Sequence, residues 1–343
     1  MKNRIFAMAA LAAALFASCN KETEMINPAP EAHPDGASVT ITLSSGDDAQ
    51  TRAFFDATAT AEAWEKSLSS LSVFTFNASG DLLLRRDFTV SELASKSATF
   101  SLPKSAAGTE CSFYAVANYD ASSAKTRSAL TALVEQSAGD YNGTFADVST
   151  KALRSGGFVM SGSTTKTVGA VNTSTQVGIS LKRTVAKVAL QTSIAPEFSE
   201  KYPGSITINS VKLSRAASQS LVVAGTPSTG AMSYTHTQTP GTASSKYNSL
   251  FYLYETGTLD AGSRVLLEIN ATYDSDGSSS TSDDRSDVTY SVELTGKAAG
   301  QILRNGYYRV AANITGLVGQ DCQVSVTVAD WETPVTQSVD LGA

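Results

Sequence analysis

Residues 68–83 read LSSLSVFTFNASGDLL. Leu71 and Val73 alternate with serine, Phe74 and Phe76 extend the run, and Asn77, Ala78, Ser79 and Gly80 close it with turn chemistry. Apolar alternation with period two, bounded by turn residues, specifies a half-buried strand. The pattern recurs in both directions. Upstream, Val39, Ile41 and Leu43 point one way. Downstream, residues 88–90, 98–102 and 113–117 read as strands. Val177, Ile179 and Leu181 open a second series, continued by 184–190, 206–208, 211–213, 250–254, 265–273, 288–294, 307–314 and 324–328. Helical periodicity is confined to residues 61–69, around Trp64 and Leu68, and 128–136, around Leu130, Leu133 and Val134. Many short strands with Gly/Pro/Ser turns predict an all-β chain of two antiparallel sandwiches in tandem with few short helices. Strand counting divides it into residues 53–178 and 179–331.

Composition fits that reading. The 343 residues carry 42% hydrophobic side chains, 17% charged ones and a formal net charge of −6. An acidic balance excludes a nucleic-acid partner, because phosphate binding needs a basic surface. Three cysteines, Cys19, Cys111 and Cys322, are too few for a disulfide framework. Whether Cys111 and Cys322 pair is left open by spacing alone.

The amino terminus is of a different kind. Lys2 and Arg4 precede an apolar run from Ile5 to Phe16; Ala17 and Ser18 then lead into Cys19. This is the layout of a secretory signal peptide over residues 1–18, with Cys19 where a bacterial lipoprotein is cut and acylated. The run is shorter than the roughly 20 residues that span a bilayer. Phe16 stands where such signals usually carry a smaller aliphatic residue, so an export signal without lipid is the alternative. Residues 19–37 follow as a tether, with three prolines between 27 and 36.

Chemistry-bearing constellations are scarce. The two histidines are His33, in the tether, and His236, in a Ser/Thr-rich stretch that reads as a loop. No nucleophile elbow accompanies His236, so a Ser-His-Asp arrangement has no support. A His/Cys metal cluster is excluded by count. Gly156 and Gly157 lack the Lys-Ser/Thr of a phosphate loop. Asp274, Asp276, Asp283 and Asp284 crowd one loop, where a calcium ion is conceivable, but the closing Glu of an EF-hand is missing. Tyr247, Phe251, Tyr252 and Tyr254 could stack on sugars, yet 251–254 reads as a strand packed on both faces. The chain reads as a non-enzyme without cofactor or catalytic residue.

Two other features point to assembly. Gln50-Thr51-Arg52-Ala53-Phe54 follows the strand at 39–43 and a polar loop, offering an arginine to a trypsin-like protease. At the other end, Cys322, Val324, Val326 and Val328 alternate, Asp330, Trp331 and Pro334 interrupt, and Val335, Val339 and Leu341 alternate again. Such a tail is either a last strand at home or one offered to another molecule.

Taken in order, these segments resemble the Bacteroidales fimbrillins, the FimA-like and Mfa-like subunits of type V pili. The resemblance rests on Cys19, the Thr51–Ala53 triplet and LSSLSVFTFNASGDLL. It extends to FYAVANYD (113–120), SLKRTVAKVAL (180–190), RNGYYRVAANITG (304–316) and VTVADWETP (326–334). It implies transthyretin-like sandwiches and an outer-membrane lipoprotein precursor exported to the cell surface. It further implies cleavage between Arg52 and Ala53 by an arginine-specific protease. Residues 38–52 would then be a propeptide whose strand, marked by Val39, Ile41 and Leu43, is displaced. The tail at 332–343, marked by Val335, Val339 and Leu341, would donate the replacement strand to an identical or related subunit in a head-to-tail polymer. The alternative role is a fimbrial tip or anchor, or a surface glycan-binding lipoprotein.

Overall fold

The structure, a computed structural model, describes residues 35–44, 55, 61–136, 138–227, 232–278, 280–296, 299–318, 327–330 and 335–341, the last two stretches by backbone only. The first series of strands is β1 (Ala37–Ser44), β2 (Leu71–Phe76), β3 (Leu82–Asp87), β4 (Ser97–Leu102), β5 (Glu110–Ala117), β6 (Val134–Glu135), β7 (Met160–Thr167), β8 (Ser174–Ser180) and β9 (Lys182–Arg183). The second is β10 (Val185–Ile194), β11 (Ser205–Ala216), β12 (Ser220–Leu221), β13 (Tyr234–Gln238), β14 (Gly241–Ala243), β15 (Lys246–Tyr254), β16 (Leu266–Asp274), β17 (Arg285–Glu293), β18 (Gly306–Ile314), β19 (Thr327–Asp330) and β20 (Val335–Leu341). Among the described residues four short helices intervene: α1 (Val90–Ser95), α2 (Arg127–Thr131), α3 (Phe145–Val148) and α4 (Phe198–Lys201).

The strands form two successive sandwiches. In the first, β4-β1-β8 faces β3-β2-β5-β7-β9, and Val39, Ile41, Val73, Phe113, Met160 and Val177 share one core. In the second, β14-β15-β10-β18, extended by β19 and β20, faces β13-β11-β16-β17 over Val188, Leu190, Val211, Ile269, Val292 and Val310. Sheet membership changes between Arg183, on β9, and Val185, on β10. Pairing is mainly antiparallel, but β1 runs parallel to β8, β10 to β18, and β18 to β20.

Strand β10 explains the unbroken apolar run of residues 185–190. Val185 and Ala189 face the first core, whereas Ala186, Val188 and Leu190 face the second. A strand covered on both faces is apolar at consecutive positions rather than alternate ones. Lys187 shares the parity of Val185 and Ala189, so its charge is directed toward the first core.

The turn at 77–80 forms as its residues predict. Gly80 takes φ +90° and its N–H donates to the Asn77 carbonyl at 3.0 Å, a conformation that glycine adopts without Cβ strain. Two sequence expectations are corrected. Residues 88–90 are not a strand but the entry to α1. Thr89 and Glu92 form a reciprocal capping box, Thr89 N–H donating to Glu92 Oε2 at 2.7 Å. The helical pattern expected over 128–136 ends at Thr131 in α2, and Val134 pairs instead with Leu221 in the small β6–β12 ribbon. The region 61–69 contributes only a 3-10 turn, Trp64–Lys66. Among the described residues no helix is long and apolar enough to cross a membrane.

Candidate functional site

Strand β1 occupies a slot between two strands. Ala37 pairs with Leu102, Val39 with Phe100 and Ile41 with Ala98 on antiparallel β4. On parallel β8, Val39 pairs with Thr175, Ile41 with Val177 and Leu43 with Ile179. Alternation puts Ala37, Val39, Ile41 and Leu43 inward, at 0, 0, 0 and 4% exposure, and leaves Thr42 and Ser44 outward in solvent. The Thr40 and Thr99 hydroxyls meet across the outer face at 2.9 Å. Further backbone bonds tie the strand ends: Ser38 N–H to the Thr173 carbonyl, Leu43 N–H to Lys96, and Leu181 N–H to Ser44. Burial of Val39, Ile41 and Leu43 contributes roughly 1.5–3 kcal/mol each. Because β1 is bonded along both edges, its departure opens the edges of β4 and β8 together and uncovers a one-strand-wide apolar groove. Unpaired edges of this kind recruit another strand.

The segment after the Arg52–Ala53 site is clamped to the second series of strands. Arg52 and Ala53 lie outside the described residues, but the Phe55 carbonyl accepts from Arg309 Nη1 at 2.9 Å, and the Arg309 guanidinium lies 5.5 Å from the Phe55 ring centre. Glu65, on the 3-10 turn, is wholly buried. Its Oε1 accepts from Lys187 Nζ and from the Tyr252 hydroxyl, both at 2.8 Å. Its Oε2 accepts from Glu62 N–H at 2.7 Å and its carbonyl from Arg183 Nε at 2.9 Å. Burial alone would raise the Glu65 carboxyl; Lys187, Arg183 and the hydrogen bonds outweigh it and hold the group below the usual carboxylate range. Burial, the Glu65 charge and its hydrogen bond push the Tyr252 phenol far upward, so it stays a neutral donor. Arg183 also reaches Asn305 Oδ1 through Nη1 at 2.8 Å. Asn305 sits at φ +57°, a left-handed conformation that asparagine tolerates well. None of this cluster was singled out by motif. The one signal available was a lone lysine inside the apolar run 185–190.

The tail expected at 332–343 contributes β20. Val335 pairs with Tyr308, Val339 with Ala312 and Leu341 with Ile314, all parallel to β18. Next to it, β19 joins the start of β18 through Gly306–Asp330 and Tyr307–Ala329. The structure therefore places Val335, Val339 and Leu341 on the second sandwich and Val39, Ile41 and Leu43 in the first, in different sheets. Cys19, Cys322 and residues 19–34 of the expected tether lie outside the described residues, and the last tether residue, Ala37, is instead the first of β1.

The remaining candidates have structural roles. His236 is in a strand rather than a loop: it pairs with Leu213 on β11, contacts the Gly143 carbonyl at 3.3 Å and meets Phe251 edge-on. Thr235 and Thr237, which alternate with it, are exposed, as fits an edge strand with one wet face, and the Ser/Thr-rich composition concealed the strand. Asp274, Asp276 and Asp284 approach one another between β16 and β17, where Arg285 Nε bonds Asp274 at 3.0 Å and Ser275 and Asp276 donate to Asp284. Phe251, Tyr252 and Tyr254 are core residues of β15, with no face free for a sugar. Cys111 is a buried free thiol, pushed up in pKa by that burial.

The outer edge of β15 is closed by two side-chain amides. Gln238 receives Leu250 N–H at 2.8 Å and donates to the Leu250 carbonyl at 3.0 Å. Asn142 does the same for Tyr252, at 2.8 and 2.9 Å. Each amide imitates one residue of a neighbouring strand, which protects an edge against unwanted pairing. Asn142→Ala should speed exchange of the Tyr252 amide by about tenfold, the effect of roughly 1.4 kcal/mol. Phe251 and Leu253, which point toward β10, should be unaffected. Unchanged exchange at Tyr252 would refute the capping role.

With the slot, the clamp and the tail placed, comparison with known proteins identifies the family. The model of the major fimbrial subunit protein (FimA) matches residues 37–224, more than half of the chain, and its first matched residue is the first of β1. The chain belongs to the FimA major fimbrial subunit family. Solved structures agree in fold. A fimbrilin (FimA) from Porphyromonas gingivalis W83 superposes with a TM-score of 0.57 at 17% identity, covering 90% of this chain and 98% of that one. A candidate cell adhesion protein from Parabacteroides distasonis ATCC 8503 gives 0.59 at 16% identity, over 88% and 98%. The tip fimbrial protein Mfa3 from Porphyromonas gingivalis, with a C-terminal truncation, gives 0.50 at 13% identity, over 86% and 100%. Comparison with curated protein sequences finds no match. Fimbrial family membership makes the chain a cell-surface structural subunit.

Proposed function

We propose that this FimA-family chain is a shaft subunit that polymerises by protease-triggered strand exchange. Export as a lipoprotein acylated at Cys19 brings the precursor to the outer membrane, with its two domains divided between Arg183 and Val185, where the chain passes from one sandwich to the next. An arginine-specific protease cuts between Arg52 and Ala53. The lipid and β1 leave together, and the C-terminal tail of a neighbouring subunit enters the slot by β-augmentation. A head-to-tail contact of this kind does not close on itself and grows into a filament. The observation that carries the reading is the position of β1. It is the middle strand of its sheet, buried on one face, and the sequence that joins it to the rest of the chain carries Arg52.

Ile41→Ala tests it. In the precursor, the truncation should cost about 2–5 kcal/mol of stability, the usual effect of emptying a core position. In the assembled, processed subunit, it should cost nothing, because β1 is gone. Denaturant unfolding of the precursor and SDS resistance of the polymer measure the two effects. A polymer weakened by Ile41→Ala would mean that β1 stays in place.

A further inference from the structure

The cations of this chain are sorted by where they lie. The sequence has twelve arginines and fourteen lysines. Arg4, in the expected signal, and Arg52 fall outside the described residues. Of the ten described arginines one, Arg285, is exposed, whereas seven of the eleven described lysines are. We infer that the folded subunit withholds its arginines from an arginine-specific protease and uses lysine for its surface charge, so that the precursor is cut at Arg52 and nowhere else. The inference rests on the processing step proposed above and supplies what confines that step to one bond.

An endoprotease takes an extended stretch of substrate into its cleft, so both the arginine side chain and the backbone around it must leave the fold. The described arginines resist on both counts. Arg183, Arg304 and Arg309 are buried, at 4, 8 and 2% exposure. Arg183 holds Glu65 and Asn305, and Arg309 holds Phe55. Arg304, in the turn before β18, gives Nε to Glu255 at 3.0 Å and Nη2 to the Leu221 carbonyl at 2.7 Å. Arg85 and Arg86 are half-buried on β3. Each is bonded twice to one carboxylate, Arg85 to Asp87 at 2.8 Å and Arg86 to Glu92 at 2.8 and 3.0 Å. Arg215 lies on β11, between β13 and β16, with Nη1 on Glu293 at 2.8 Å.

Three further arginines stand in turns or at a helix start, where nicking is usually easiest, and each folds back onto the chain. Arg154 Nη1 donates to the Asn118 and Gly157 carbonyls at 2.9 and 3.1 Å. Arg264 Nε donates to the Leu259 carbonyl at 3.1 Å. Arg127, the first residue of α2, lies over Gly80, whose carbonyl accepts its N–H at 3.0 Å. The exposed Arg285 opens β17, where it pairs with Asp274 and gives Nε to that carboxylate at 3.0 Å. A guanidinium suits such places, because it is more weakly hydrated than an ammonium and its planar fork bonds several acceptors at once. Lysine takes the open positions. Lys125 and Thr126 are exposed just before α2. Lys151 follows α3 with its side chain 65% exposed. Ala152 comes next, so an arginine at 151 would repeat the Arg52–Ala53 pair.

Limited proteolysis of the folded precursor tests the inference. An arginine-specific endoprotease should give one product, beginning at Ala53. It should cleave after the arginines from Arg85 to Arg309 at least about 100-fold more slowly, because those bonds are reached only through local opening. A lysine-specific endoprotease should cut the same folded chain after Lys125 or Lys151. Lys125→Arg and Lys151→Arg should each add one fast cut by the arginine-specific enzyme, after the substituted position. Cleavage after any arginine from Arg85 to Arg309 at a rate comparable to that at Arg52 would overturn the inference. So would resistance of these two loops to both enzymes, the substituted chains included, since rigidity alone would then protect the subunit. If Arg52 resists while the substituted positions are cut, the withheld arginines stand and the processing step proposed above falls.

Discussion

Arg52→Ala subunits are expected to accumulate on the cell surface as lipidated precursor and to form no SDS-resistant ladder. The effect is close to complete because β1 and its slot belong to one molecule. A strand that belongs to the same chain as its slot competes at an effective concentration in the millimolar range, and it holds two hydrogen-bonded edges and the burial of Val39, Ile41 and Leu43. Burial of those three side chains alone contributes about 5–9 kcal/mol. A donor strand from outside must displace all of this, whereas after cleavage it meets an empty groove. Arg52→Lys sharpens the test, since it keeps the charge while removing the residue that an arginine-specific protease reads. Ladders of normal length from either variant would show that assembly does not wait for this cut.

Glu65→Ala should be the most damaging single change to the folded subunit outside the apolar core, costing about 3–5 kcal/mol, because it leaves Lys187 charged and buried without its carboxylate. Lys187→Ala should cost a similar amount for the mirror-image reason. Replacing both with leucine should cost far less, since a well-packed apolar pair removes both desolvation penalties. Denaturant midpoints of the two single variants and the double variant measure this, and simple additivity would show that the two side chains do not act as a pair. The pH dependence follows from the direction of the Glu65 shift. Its folded pKa lies below the unfolded value of about 4.3. The contribution is therefore fully present above that value and is lost as pH falls through the lower, folded one. Between pH 7 and 5 the pair should give no change in stability, and below about 4 it should be lost progressively. Glu65→Gln should flatten that acid limb.

Much of this fold is legible in the chain because period-two alternation is a local signal. Val39-Thr-Ile-Thr-Leu43 shows its buried face directly, and so does the Leu71–Phe76 run with its Asn-Ala-Ser-Gly turn. The misread elements are those where a local signal competes with a tertiary one. Phe88-Thr-Val90 has strand-like residues, but the Thr89–Glu92 capping box commits them to a helix entry. Residues around His236 are polar enough for a loop, yet β11 offers them an edge. The clamp was illegible for a different reason. Glu65 and Lys187 are 122 residues apart, and nothing local says which charged residues will meet in a core. The same holds for Asn142 and Gln238, whose role depends on where β15 ends up. The slot itself was half legible: its filling strand could be read from residues 39–43, but the parallel pairing with β8 that gives it a second bonded edge could not.

The central claim is that the lipid and β1 are discarded together before the chain enters the fimbria. Amino-terminal sequencing and intact mass of subunits recovered from SDS-resistant surface ladders test it most directly. The account predicts chains that begin at Ala53, carry no acyl group and lack residues 37–44. Ladder subunits that begin at an acylated Cys19 and still contain β1 would contradict it.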